Sequence, residues 1–282
     1  MGVFTKLTLE EINELIKDTN IVFKSFQETQ NGVTDSTYIG TSQDNTRYIF
    51  KVLENSTLED IKNEIYILKT IKELKVPKVL SKKIVMYQNK PTILFSFIEG
   101  KIPKQIDIKK VEELAKFMAK LHSIKDIEAK NENIYTLEFM KKMLEKVDDE
   151  TLKQLLQTKF DVIKDINLPN NSLIHGDLFP DNAKFLDDKL SGVYDFAQSC
   201  YGNSYFDFAV FIVSWCFEEY NFKTSFLQNA LESYDKNLDI KTIKPYLLYA
   251  CLYYTLQRAN RKNPKKDYNE FLRKFDILKE LL

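Results

Sequence analysis

Four side chains suited to metal-assisted group transfer stand close together in the stretch 172–200, SLIHGDLFPDNAKFLDDKLSGVYDFAQSC: His175, Asp177, Asn182 and Asp195. Phosphoryl transfer needs one carboxylate to accept or orient a hydroxyl proton, and hard oxygen ligands to hold Mg²⁺ against a polyphosphate. Asp177 suits the first task, and Asn182 and Asp195 suit the second. Asn182 returns to the neighbourhood of Asp177 only if the intervening loop turns tightly, which Pro180 favours. Strand-like residues 183–186 and 190–194, turning at Asp187-Asp188-Lys189, separate Asn182 from Asp195. His175 reads as a hydrogen-bonding support behind Asp177 rather than as an acid or base.

Elements on either side must position this set. Residues 21–26, 36–40 and 48–53 are short apolar or alternating runs broken by turn residues, the pattern of an antiparallel meander. Ser56 with Glu59 suggests a capping box, after which Leu58, Ile61, Ile65, Leu68 and Ile71 recur at helical spacing. Strands are expected at 83–87 and 92–97. Beyond Gly100 the pattern turns helical, at 108–122, 136–147, 151–166, 204–219, 222–234 and 241–260. An α+β chain follows, with a sheet-containing lobe over 1–98, a mainly helical lobe over 99–282, and a ligand cleft expected at their junction.

The motifs HGDLFPDN and YDF resemble the H-G-D-x-x-x-x-N signature and Asp-containing metal motif of the aminoglycoside phosphotransferase family, a branch of the protein-kinase-like fold. The likeness extends through YIFKVLE, FSFIEGK, LAKFMAKLHSI and SYFDFAVFIVSWCF. Within the family the chain looks most like the bacterial branch that phosphorylates homoserine rather than the antibiotic-modifying members.

The resemblance implies ATP and Mg²⁺ as cofactors and a small-molecule acceptor. It assigns Lys51 to the α/β-phosphates and Glu64 to an ion pair with Lys51. Asp177 becomes the base, and Asn182 and Asp195 the Mg²⁺ ligands. Backbone groups of Ser96, Phe97 and Ile98 are assigned to adenine, and Asp207 to bracing the catalytic loop. Departures are visible. Asp195-Phe196-Ala197 lacks the glycine familiar from protein kinases, and QETQNGVTDSTY has only Gly32, so a looser nucleotide loop using Gly32, Thr34, Asp35 and Ser36 is expected. Both departures favour a small-molecule kinase over a protein kinase.

The acceptor pocket is argued separately, because a fold does not fix a substrate. Arginine occurs only at 47, 258, 261 and 273 in a lysine-rich chain, so TLQRANRK attracts notice. Guanidinium binds a carboxylate bidentately, and the resemblance implies that Arg258, which corresponds to an arginine in the late helix of the homoserine-phosphorylating branch, is the substrate anchor, with Arg261 beside it. The alternative is a cationic helix end that answers the helix dipole. Asp35 and Glu99 are candidate ammonium partners. Trp215 is either core or a wall of the acceptor pocket. His122, on the inner side of its helix, is given packing but no chemistry.

Composition narrows the function classes. With 44% hydrophobic residues, and 41 Lys+Arg against 41 Asp+Glu, the chain can bury a sizeable core. It shows no basic face for nucleic acid. Cys200, Cys216 and Cys251 form no metal or disulfide pattern, and neither a signal peptide nor a membrane span is visible. The expectation is a cytoplasmic monomer or homodimer that binds neither nucleic acid nor membrane.

Overall fold

The computed structural model describes residues 3–29, 35–125, 127, 129–261 and 268–282. The chain forms two compact units, one of residues 1–100 with 191–197 and the other of 101–190 with 198–282. The division falls after Gly100 rather than after residue 98. Residues 191–197, expected in the helical part, belong with the sheet, because Val193 donates its N–H to the Lys75 carbonyl at 2.9 Å.

In the first unit, helix α1 (Leu9–Leu15) precedes strands β1 (Phe23–Glu28), β2 (Ser36–Ser42) and β3 (Arg47–Val52). Helix α2 (Leu58–Thr70) and strands β4 (Val85–Tyr87) and β5 (Lys90–Ser96) follow. The strands make one antiparallel sheet in the order β1-β2-β3-β5-β4. Strand period two sends Phe50 and Val52 into a core with Leu7, Ile12, Ile16, Phe23, Tyr38 and Leu94, so Lys51 between them faces the other way. Helix α2 begins at a capping box of Thr57 and Asp60, one residue beyond the expected Ser56 and Glu59. Helix α1, which was not expected, is fixed by a second box of Thr8 and Glu11. Seven residues are too few for periodicity to reveal a helix.

The second unit opens with helices α3 (Ile108–His122), α4 (Leu137–Glu145) and α5 (Glu150–Ile163). Strands β6 (Ser172–Ile174), β7 (Ala183–Leu186), β8 (Lys189–Val193) and β9 (Cys200–Gly202) come next, with β8 carrying the chain out to residues 191–197. Positive φ at Asp187 and Asp188 supplies the tight turn between β7 and β8. Helix α6 (Ser204–Trp215) is buried on nearly all sides. It ends four residues before 219, where a hairpin of β10 (Phe217–Glu218) and β11 (Asn221–Phe222) reverses the chain with Glu219 left-handed. Helices α7 (Thr224–Tyr234), α8 (Ile240–Ala259) and α9 (Tyr268–Leu281) complete the unit, with α8 packed against α6 and α9. All three cysteines are buried thiols, and burial raises each thiol's pKa, that of Cys200 to about 12. No described helix is long and apolar enough to cross a membrane.

The sheet tolerates no side chain at Gly40, where an added Cβ would lie 1.9 Å from the Phe23 ring. Gly40→Ala is therefore expected to destabilise the protein by about 1–3 kcal/mol through overpacking, measured as a lower denaturant midpoint at unchanged slope. An unchanged midpoint would contradict the packing of Phe23 over this strand.

Candidate active site

Lys51 sits mid-strand in β3, paired with Thr37 on one side and Ile93 on the other. Glu64 projects from the buried face of α2. Burial works against the Lys51 ammonium, but the charges of Asp195, Glu64 and Asp35 outweigh it and raise the Lys51 pKa. Burial also governs Glu64. It pushes the carboxyl up to about 7, aided by Asp195 and Asp35 and opposed by Lys51 and a hydrogen bond from the Phe196 N–H. Lys51 and Glu64 thus share a buried electrostatic cluster with Asp195, and Asp35 joins it, accepting the Glu54 N–H at 3.1 Å. Asp35 is held above the usual carboxylate range by its burial, against the pull of Lys51. Asp195 itself adopts a left-handed φ of 72°, a costly conformation for a non-glycine residue and one that clusters at functional sites.

Two expectations in this unit change. Ser36 is fully buried, accepts the N–H groups of Phe4 and Thr5 at 2.8 Å each, and donates to Glu54. It therefore anchors the segment before α1 rather than serving a nucleotide loop. Ser96 donates its N–H to Lys78 at 2.9 Å and accepts the Lys78 N–H on Oγ at 2.8 Å, so its polar groups lock the sheet. Phe97 lies under the Arg47 guanidinium at 4.1 Å, and a Cβ on Gly192 would meet Ile98 at 2.7 Å. Glu99 pairs with Arg47. Gly32 and Thr34 lie outside the described residues.

In the second unit, β6 runs directly into the Asp177 loop. The Asp207 carboxylate, wholly buried at the start of α6, accepts the His175 N–H on Oδ2 at 2.9 Å and the Gly176 N–H on Oδ1 at 2.7 Å. His122 Nε2 also meets Oδ2 at 2.9 Å, while its Nδ1 faces the Tyr234 hydroxyl at 2.7 Å. Burial opposes ionisation of Asp207, but the hydrogen bond and charge of His122, with His175 behind them, hold its carboxyl below the usual range. The Asp177 N–H donates to His175 Nδ1 at 3.2 Å, which makes that nitrogen the acceptor of a neutral imidazole. Gly176 has φ 81°, and a Cβ there would strike the Tyr135 hydroxyl at 2.2 Å.

Asn182 ends the short 3₁₀ turn Pro180–Asn182. Its Nδ2 donates to the Asp177 carbonyl at 2.7 Å and approaches Asp177 Oδ2 at 3.4 Å, which fixes the amide orientation and makes Oδ1 the oxygen able to bind a cation. Asn182 and Asp195 each offer hard oxygen, the donor type that Mg²⁺ takes. Among the described residues no three His, Cys, Asp or Glu side chains form a metal cage. A Mg²⁺ ion completed by phosphate oxygens and water needs none.

Three acceptor-side expectations meet different surroundings. Trp215 is fully buried and donates Nε1–H to the Leu178 carbonyl at 3.0 Å, so it forms the floor of the loop and no pocket wall. Arg258 pairs with Glu270 at 2.8 Å and lies 4.3 Å over the Phe271 ring. Arg261 is beyond the end of α8, exposed, and among the described residues reaches back to Gln257 at 3.3 Å. Conversely, His122 and Tyr254 turn out to serve the site. The Tyr254 hydroxyl contacts the Gly176 carbonyl and lies 3.2 Å from Asp177 Oδ1. Its setting, LYYTLQ on α8, carries only the signal of an aromatic core helix.

This loop and the two-unit α+β architecture are those of a kinase-like phosphotransferase. Residues 25–237 match the model of the phosphotransferase enzyme family, and the chain belongs to that family. Among curated proteins it is similar to a homoserine kinase of Rhodospirillum rubrum, 29% identical over 52% of this chain and 49% of that one. A homoserine kinase of Rhodopseudomonas palustris is 24% identical over 86% of this chain and 79% of the other. The chain thus matches about half the length of the first relative and about four fifths of the second. Among solved structures, amicoumacin kinase hAmiN in complex with AMP-PNP superposes with a TM-score of 0.70 at 16% identity, covering 96% of this chain and 91% of that one. The choline kinase LicA from Streptococcus pneumoniae gives 0.67 at 16% identity, covering 96% and 97%. At such identities the likeness is one of fold.

The raised Glu64 carboxyl predicts a pH signature. Between its unfolded pKa near 4.5 and its folded pKa near 7, the native state holds more protons than the unfolded state, so Glu64 costs stability progressively as pH rises through that window. Melting temperatures of the wild type and Glu64→Gln should therefore shift relative to each other in favour of the variant between pH 4.5 and 8. A gap that does not move with pH would contradict the burial.

Proposed function

We propose that the protein transfers the γ-phosphoryl group of ATP to the hydroxyl of L-homoserine, with Mg²⁺. The observation that carries this reading is the Asp177 carboxylate, set on a loop whose two preceding backbone amides are both bound by buried Asp207. A loop held so tightly suits a group that must meet a hydroxyl within hydrogen-bond reach. The choice of acceptor is supported by relatives named homoserine kinase at 29% and 24% identity.

In this mechanism Asp177 orients the acceptor hydroxyl and takes its proton as the oxygen attacks phosphorus. Lys51, kept charged by its acidic neighbours, draws negative charge from the α- and β-phosphates, and Glu64 keeps Lys51 in place. Asn182 Oδ1 and Asp195 would be the residues to hold Mg²⁺, which would neutralise phosphate charge when bound. Residues 96–98 meet the adenine through Phe97 and Ile98 rather than through Ser96. Arg258 receives the substrate carboxylate, because a guanidinium with five donors can serve an internal carboxylate and a bound one together. Asp35 is the candidate partner for the substrate ammonium. The setting proposed is cytoplasmic.

A second reading is a kinase for another small alcohol such as choline or ethanolamine. It is favoured by one observation: the Arg258 guanidinium already has Glu270 as a carboxylate partner. A regulator that binds nucleotide without turnover would have no use for a braced Asp177.

ATP consumption against L-homoserine, choline, ethanolamine, kanamycin and no acceptor separates these readings, with turnover expected for homoserine alone. Asp177→Asn is expected to fold, to keep nucleotide-dependent thermal stabilisation, and to lower kcat by about 10³-fold or more. Near-normal turnover in that variant would overturn the assignment.

A further inference from the structure

Two neighbouring tyrosines on α8 differ in one respect. Tyr253 and Tyr254 are both buried, at 0% and 2% exposure, and their rings lie 5.4 Å apart. The Tyr253 hydroxyl is the buried side-chain polar atom that finds no hydrogen-bond partner among the described residues. The Tyr254 hydroxyl has two acceptors within reach, the Gly176 carbonyl and Asp177 Oδ1 at 3.2 Å.

The Tyr254 ring is held as firmly as its hydroxyl. Phe179 meets it edge-on at 4.9 Å and Phe271 lies 5.5 Å away, while Phe179 and Phe271 themselves are 5.9 Å apart. Phe179 follows Asp177 by two residues, so one tyrosine touches the loop before, at and after the carboxylate. Burial, with the Asp177 charge behind it, pushes the phenol pKa far up, so the hydroxyl keeps its proton as a donor. The terminal torsion of an aspartate is broad, and a carboxylate without such a contact samples a wide range of orientations.

We infer that Tyr254 is a positioning residue for Asp177: its O–H, shared between Oδ1 and the Gly176 carbonyl, holds the carboxylate on one side while Asn182 Nδ2 approaches Oδ2 on the other, and the two together set the orientation in which the carboxylate meets the acceptor hydroxyl. The inference rests on Asp177 being the group that meets the acceptor. A hydrogen bond to a charged group, and a reacting atom displaced by its loss, both predict about 10–100-fold in rate. The effect belongs in kcat, because the Tyr254 hydroxyl is engaged by the Asp177 loop itself.

The test compares four variants for ATP consumption with L-homoserine: Tyr254→Phe, Tyr253→Phe, Asp177→Asn and the Tyr254→Phe/Asp177→Asn double variant. Expected are a kcat about 10–100-fold lower in Tyr254→Phe with both KM values within about twofold, and near-normal turnover in Tyr253→Phe, which loses the same atom from an unpartnered position. In the double variant Tyr254→Phe should cost nothing beyond Asp177→Asn, since the two act as a unit. A Tyr254→Phe that behaves like Tyr253→Phe, or losses that multiply in the double variant, overturns the positioning role while leaving the kinase reading intact. Full turnover in Asp177→Asn overturns both. Should Tyr254→Phe fail to fold, Phe271→Leu keeps the hydroxyl and loosens the ring, and it must lower kcat at saturating substrate; KM is not the readout for this variant, because Arg258 also packs on Phe271. An unchanged kcat there overturns the inference.

Discussion

A single buried carboxylate organises the Asp177 loop. Asp207 is removed from water, and it remains charged because two backbone N–H groups and His122 satisfy it. An unsatisfied charge there would be costly, so the arrangement is all or nothing. Burial that would otherwise disfavour the group instead makes its hydrogen bonds specific, and through His175 and Gly176 they set the backbone that carries Asp177. Gly176 is required for the same reason, since φ 81° and the nearby Tyr135 hydroxyl exclude a side chain. The loop is held from α6 by Asp207, which accepts two of its amides, and from α8 by Tyr254, which reaches the Gly176 carbonyl and Asp177 Oδ1, while His122 on α3 supports Asp207 from behind.

The first unit solves a different electrostatic problem. Lys51 lies on a sheet face where burial disfavours its charge, and three acids of differing environment hold it charged. Burial raises the Glu64 carboxyl pKa to about 7. Such a cluster has more acid than its single lysine requires, which suits a site that binds further cation along with a polyphosphate. The left-handed Asp195 is the strained element of this cluster, and the Phe196 N–H on Glu64 ties its turn to α2.

Much of this was legible in the sequence, for identifiable reasons. Asp177, Asn182 and Asp195 are close in the chain and carry their chemistry in their types, while Lys51 and Glu64 were singled out by the family resemblance and only their strand and helix were legible as patterns. Helix α3 agrees with its expected bounds, 108–122, because its period is strong and Asp107 caps it. What was hidden is long-range. His122 reaches Asp207 from 85 residues away and Tyr254 reaches Asp177 from 77, and both lie in sequences that read as core. Trp215 and Ser36 misled in the opposite sense, since a side chain's type says nothing of which backbone group has already claimed it. Arg258 was conspicuous for its rarity, yet its partner Glu270 lies on another helix, which composition could not indicate.

The claim that Asp207 sets the Asp177 loop is tested most directly by residue-resolved amide hydrogen exchange in the wild type and Asp207→Asn. An asparagine offers one carboxamide oxygen where the carboxylate offered two, so at least one loop amide loses its acceptor. The His175 and Gly176 amides should exchange about tenfold or more faster in the variant, the effect of losing a charge-assisted hydrogen bond, while amides in the middle of α3 keep their protection. Equal protection of His175 and Gly176 in both proteins would contradict the account.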